Sequence, residues 1–194
     1  MSKNPYTPTL GDKFWRMAWL PARREDELEH DLHYAATVGK LWRAEHLLTE
    51  KKVDIASGDN FAIRWAANGG HVPMLELLLR HGGVDVNAKE GDALIRAVEN
   101  RHHAAAAFLL SHGADAAHQD FKALRIAAGR NDAAMMAHLL ASTKNAQPLV
   151  RALVASAQKE NSAIDAACLR LYQNYLMDTP PPAAAQKPPR PPQG

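Results

Sequence analysis

Four short runs of nearly the same pattern recur along this chain about thirty residues apart, and no other feature limits its possible folds so tightly. They are Leu32-His-Tyr-Ala-Ala36, Ile63-Arg-Trp-Ala-Ala67, Leu94-Ile-Arg-Ala-Val98 and Leu124-Arg-Ile-Ala-Ala128, with starts offset by 31, 31 and 30 residues. Fifteen residues after each start stands a pair of leucines: Leu47-Leu48, Leu78-Leu79, Leu109-Leu110 and Leu139-Leu140. Such a fixed period marks a solenoid, in which each unit buries its apolar face only by stacking on its neighbours.

Small residues suit the place where two helices approach closely, and the leucines suit an apolar stripe turned inward from a second helix. Each unit therefore reads as a helical hairpin. In the second, the first helix runs from about Phe61 to Asn68, Gly69-Gly70 breaks it, and Pro73 fits the first turn of the next helix. That helix carries Met74, Leu75, Leu77, Leu78 and Leu79 to a stop at His81-Gly82-Gly83. An extended step, Val84 to Asn87, leads into the following unit, and His112-Gly-Ala-Asp115 copies it.

The residues themselves resemble ankyrin repeats, whose first helix opens with Thr-Pro-Leu-His-x-Ala and whose second ends in Leu-Leu-x-x-Gly-Ala-Asp-Val-Asn. The second unit keeps Ala66-Ala67, Gly70-His71, Leu78-Leu79, Gly82 and Asp85-Val86-Asn87. The third keeps Ala93-Leu94, Ala97, Leu109-Leu110 and Gly113-Ala-Asp115. Phe61-Ala62 replaces Thr-Pro and Arg64 the signature His, and the first and fourth units keep little beyond the helix pattern. The resemblance implies looser repeats of the divergent microbial and viral type. The expected fold is all-α, an ankyrin-like helical repeat solenoid of four to five helix-turn-helix units.

The expected organisation has four parts. Residues 1–26 form an aromatic segment, capping helix and linker, and residues 27–146 form four repeats. Residues 147–178 form a degenerate fifth unit acting as a C-terminal cap, on the spacing of Leu153, Ser156, Ala157 and Cys168-Leu169 and on the polar Gln158, Lys159, Glu160 and Asn161. Residues 179–194, with seven prolines, form a disordered, polyproline-like tail. Its Lys187-Pro-Pro-Arg-Pro-Pro192 run has the spacing that aromatic-grooved modules recognise, although such tails are commonly inert. Near the other end, Phe14, Trp15 and Trp19 leave two readings open: a cap folded on the first repeat, or an exposed anchor for a partner.

Lys and Arg number 23 against 21 Asp and Glu, so no strong overall field points to nucleic acid or an anionic membrane. The lone Cys168 lies in an apolar helical context and reads as a buried thiol. No run approaches the roughly 18 apolar residues of a membrane span, and the N-terminal residues lack a secretory core. The expectation is a cytoplasmic protein in a reducing compartment, monomeric by default.

Ten histidines invite a search for metal or catalysis. His30 and His33 are three apart on a helix, a spacing compatible with a metal, but no further ligand completes a shell. His71 and His102 occupy equivalent places, as do His81 and His112, so repetition explains them. No phosphate loop, nucleophile elbow or paired-cysteine motif is present, and the chain reads as no enzyme, with no cofactor and no metal.

In ankyrin arrays partner contacts concentrate on the concave face made by the first helices and the turns between units. The resemblance puts Tyr34, Trp65, Arg96 and Ile126 in a row along that face. Adjoining turn tips bring Asp59, Asn60, Phe61, Glu90, Asp92, Asp120, Phe121 and Lys122. Trp65 and Ile126 have a second reading, as packing between neighbouring helices. A further row, His33, Arg64, Ile95 and Arg125, suits turns and inter-repeat contacts. The leading expectation is a non-catalytic module binding a partner protein in its groove, as inhibitor or adaptor, host- or defence-directed if the source is viral or bacterial. The rival is nucleic-acid or polyanion binding through Arg64, Arg96 and Arg125, against which the interspersed carboxylates weigh.

Overall fold

The computed structural model describes residues 25–143, 147–148, 150–151 and 166–178. The expectations for Phe14, Trp15 and Trp19, for the polar residues of the C-terminal cap, for the side chain of Cys168 and for the proline-rich tail lie outside the described residues.

The described chain is helical, with no strand among its residues. Its helices are α1 (Glu25–Val38), α2 (Leu41–Thr49), α3 (Ser57–Asn68), α4 (Val72–His81), α5 (Ala88–Glu99), α6 (His103–Ser111), α7 (His118–Gly129), α8 (Ala133–Ser142) and α9 (Ala166–Asp178). They pair as α1–α2, α3–α4, α5–α6 and α7–α8 and build two layers. One stacks α1, α3, α5 and α7; the other stacks α2, α4, α6 and α8, with α9 packed on α8. The architecture is the helical repeat solenoid that the period predicts.

The repeated residues make its core. Ala35, Ala36, Ala66, Ala67, Ala97, Ala127 and Ala128 are buried where first helices meet their neighbours, and a larger side chain there would hold the backbones apart. Leu47, Leu78, Leu109 and Leu139 are fully buried. Their partners Leu48, Leu79 and Leu110 are half-buried, so in the first three pairs the first leucine points more squarely inward, whereas Leu140 of the fourth pair is buried as well. Pro73 sits in the first turn of α4, where its missing N–H has no intrahelical partner to lose.

The connections hold a feature that the period does not announce. Before each of α3, α5 and α7 settles into a right-handed helix, three consecutive residues lie in the left-handed region: Gly58-Asp59-Asn60, Lys89-Glu90-Gly91 and Gln119-Asp120-Phe121. Each is preceded by an aspartate that folds the loop on itself, since Asp54, Asp85 and Asp115 accept from the backbone N–H of Ala56, Asn87 and Ala117 at 2.9, 2.9 and 2.8 Å. Units are tied loop to loop as well. Asn60 Oδ1 accepts from the Asp85 N–H at 2.8 Å, and Asn87 Oδ1 from the Asp115 N–H at 2.8 Å.

A second tie runs between helix ends. His71 Nε2 donates to the Thr37 carbonyl and His102 Nε2 to the Asn68 carbonyl, each at 3.0 Å, which puts the ring proton on Nε2. Each ring lies against the helix-ending turn of the preceding unit, at Gly39 (φ +76°) and Gly70 (φ +68°). At the next junction Asp132 replaces the ring and caps α8 through the Met135 N–H at 3.0 Å, and there Arg101 takes the turn at φ +60°. Glycine thus appears where a histidine needs the room.

The first unit also departs from the others. Where they carry buried Ala62, Ala93 and Ala123 it has Asp31, and where they carry buried Met74, Ala105 and Met135 it has Arg43. These two pair at 2.8 Å. Among the described residues no unit stacks on that side of α1, and a polar pair suits a face without an apolar neighbour.

Candidate functional site

Stacking four first helices in register puts equivalent side chains in rows across the layer. The register that pairs one unit with the next is filled differently at each junction. His33 stacks on Phe61, with ring centroids 4.2 Å apart and planes 29° apart. One unit on, the same register holds Arg64 and Asp92 as an ion pair at 2.7 Å. The contact changes from aromatic to ionic without a change of backbone.

These contacts merge into one continuous cluster. Phe61 stacks on Trp65 with centroids 5.3 Å apart, and the Arg96 guanidinium lies over the Trp65 ring, 4.8 Å from its centre. Arg96 Nε and Arg64 Nε both donate to Asp92 Oδ2, each at 2.7 Å. Arg64 also reaches back through Nη1 to the carbonyls of Gly58 and Asp59 at 3.3 and 3.4 Å. One guanidinium therefore braces a left-handed turn and ties it to the next unit. The Trp65 indole N–H is buried and meets no acceptor among the described residues, so the ring is held by stacking.

Of the residues expected from sequence, Phe61, Trp65, Asp92 and Arg96 come together here. Tyr34 stays outside the stack, 54% exposed, with the Arg43 guanidinium 5.7 Å from its ring centre. Ile126 is half-buried against the core, as is Phe121 at φ +55°. Asn60 is engaged in holding the neighbouring loop. Asp59 pairs with Lys89 at 2.8 Å and Asp120 with Arg125 at 3.0 Å, while Glu90 is exposed at its turn and Lys122 is half-buried. Ile95 is buried, which leaves Arg64 and Arg125 as the cations of their row. Sequence reasoning missed Val38, 43% exposed one turn beyond Tyr34 on the same helix; its i, i+4 spacing from Tyr34 was the available signal.

The electrostatics follow from burial and partners. Burial works to raise the Asp92 carboxyl, but hydrogen bonds and charge from Arg96 and Arg64 outweigh it and hold the group below its ordinary range. Burial depresses His33, helped by the charge of His30, while Ser57 and Glu29 act in the opposite sense. A depressed histidine binds its proton more readily in the unfolded chain, so stability is full above about pH 6.5 and declines as pH falls toward the folded value. Thermal midpoints followed from about pH 8 to about pH 5 should fall more steeply for wild type than for His33→Phe. Parallel profiles would show that His33 does not couple to folding.

Among the described residues no group of three or more histidine, cysteine, aspartate or glutamate side chains is placed to hold a metal ion. No helix among them is long and apolar enough to cross a membrane.

The profile of the ankyrin-repeat family matches residues 32–120, as three copies. No curated protein matches the chain at a significant level. The match opens at Leu32, where the first recurrent run opens, and closes in the left-handed turn of the fourth unit. The pair α7–α8 beyond it packs on α5–α6 as those pack on α3–α4, so the repeat continues past the matched residues. Period, paired-helix layers and family profile agree that residues 32–120 of this chain are ankyrin repeats.

Proposed function

We propose that this protein is a non-catalytic module that captures a partner protein on the exposed face of its first-helix layer, as inhibitor or adaptor of that partner. Ankyrin repeats are generally protein–protein interaction modules and are typically non-enzymatic. The observation that carries the reading is the juxtaposition of exposed Tyr34 with the clamped Trp65–Arg96 pair on neighbouring rigid helices. Tryptophan, tyrosine and arginine are the residues on which binding energy concentrates. Rings and guanidinium already held in place lose little conformational freedom when a partner arrives.

On this reading the contact strip is Tyr34, Trp65, Arg96 and Ile126, bordered by the turn residues from Asp59 to Phe61, Glu90, Asp92, Phe121 and Lys122. Phe14, Trp15 and Trp19 would be secondary contacts. We place the protein in the cytoplasm as a monomer, with α9 belonging to its C-terminal cap. Polyanion binding through Arg64, Arg96 and Arg125 is the weaker reading. Arg64 and Arg96 share Asp92, and Arg125 holds Asp120, so each of those cations is already engaged by a carboxylate.

The test is affinity capture from the native cell, comparing wild type with a Tyr34→Ala, Trp65→Ala, Arg96→Ala triple variant of unchanged secondary structure. One protein retained by wild type and lost by the variant is the expected result. Equal capture by both would move the contact off this face, and retention of nucleic acid with steep salt dependence would favour the polyanion reading.

A further inference from the structure

The exposed face of the first helices changes character along the array. Its first half carries Tyr34 and Val38 on α1, 54% and 43% exposed, beside Trp65 on α3. Its second half carries Arg96 on α5 and Lys122 on α7. Arg96 commits Nε to Asp92 and one side of its plane to Trp65, while its two terminal nitrogens meet no acceptor among the described residues. Those nitrogens are the pair that grips a carboxylate in a fork.

Charge is out of balance at this spot. Arg64 and Arg96 share the single carboxylate of Asp92, and Lys122, at the position of α7 equivalent to Asp92 in α5, makes no ion pair among the described residues. Neighbouring carboxylates do not correct this, because Asp59 is paired with Lys89 and Asp120 with Arg125. Exposed Glu90 nearby breaks the positive surface, so the surplus suits one or two carboxylates and not a continuous phosphate chain.

Resting on the partner-binding reading above, we propose that the occupant is an extended peptide segment of the partner, with an aromatic or aliphatic residue at one point and an aspartate or glutamate further along. The apolar residue sits over Tyr34, Val38 and Trp65, and the carboxylate sits between Arg96 and Lys122. From the α1–α3 seat to the α5–α7 seat is two inter-helix spacings, roughly 16–20 Å. At about 3.3 Å per extended residue the two anchors are about five or six residues apart. Asp92 and Trp65 pre-orient the guanidinium, so little freedom remains for the carboxylate to remove.

The experiment pans a random library of roughly twelve-residue peptides, long enough to span both seats. The targets are the full chain and its Arg96→Gln, Lys122→Gln double variant, both checked for an unchanged denaturation midpoint. Peptides enriched on wild type should pair an aromatic or aliphatic residue with an acidic one at the stated separation. On the variant the acidic preference should vanish while the apolar one persists. Changing Glu to Gln in an enriched peptide should weaken binding to wild type about tenfold and leave binding to the variant unaltered.

Enrichment without an acidic residue, or an acidic preference that survives in the variant, overturns the proposal. So does displacement of the peptides by a thymidine oligonucleotide whose binding falls steeply with salt. Failure to enrich any peptide overturns the extended occupant, while the capture experiment with the triple variant independently decides whether the face binds protein at all.

Discussion

Leu78→Ala should lower the unfolding free energy by about 2–5 kcal/mol. Leu78 is fully buried in α4, between the two layers of the second unit, and lies in the core with Leu75, Leu77 and Leu109. Removing most of its side chain forfeits the transfer free energy of the lost groups and leaves a cavity that rigid helices on several sides cannot close. Leu79→Ala is the internal control. Its half-buried side chain should give a distinctly smaller loss, since less apolar area leaves water on folding. A solenoid adds a second signature, because each unit holds its neighbours only through shared interfaces. A weakened second unit should separate the unfolding of the first from that of the rest and flatten the denaturant slope. If Leu78→Ala and Leu79→Ala shift the midpoint equally, the inward register of the leucine pairs is wrong.

Gly70→Ala should destabilise by about 2–3 kcal/mol, a large cost for the addition of one methyl group. Two independent terms contribute. Gly70 sits at φ +68°, where a side chain costs roughly 1–2 kcal/mol, and the new Cβ would lie 2.5 Å from His102 Nδ1. The ring must then move, which strains its hydrogen bond to the Asn68 carbonyl, worth about 1 kcal/mol. Other glycines separate the two terms. Gly113, at φ +90° with open space around the position, should pay backbone strain alone on conversion to Ala, and Gly129, open and without a positive φ, should lose almost nothing. In a double-mutant cycle, His102→Ala should cost less in the Gly70→Ala background than in wild type, because it removes the clash together with the bond. Additive losses would mean that the ring and the turn do not touch in solution.

Legibility tracked the range of the interaction. The leucine pairs, the alanine pairs, the break at Gly69-Gly70 and the proline opening α4 all appear where the period puts them. Each is a local rule, since helix spacing, a break and a first-turn proline depend on a few adjacent residues. The left-handed turns were not legible. Gly58-Asp59-Asn60 suits that region, but Gln119-Asp120-Phe121 adopts it as well, with Phe121 packed against the core. A backbone that stacking and loop-to-loop hydrogen bonds impose overrides the preference of the residues that occupy it.

The candidate site divides the same way. Equivalent positions in successive units follow from counting, so the row of Tyr34, Trp65, Arg96 and Ile126 could be written down from spacing and family resemblance. What each member touches could not. Phe61, Trp65 and Arg96 form a stack, Tyr34 turns to Arg43, and two arginines converge on Asp92. These pairings cross from one unit to the next, so they depend on the offset and rotation between stacked helices. By itself the amino-acid sequence determined the repeating helical hairpin, because hydrophobic period and small-residue placement act within a single unit. The tertiary structure alone decided which rings and charges share the exposed face, because those contacts join residues that only stacking brings together.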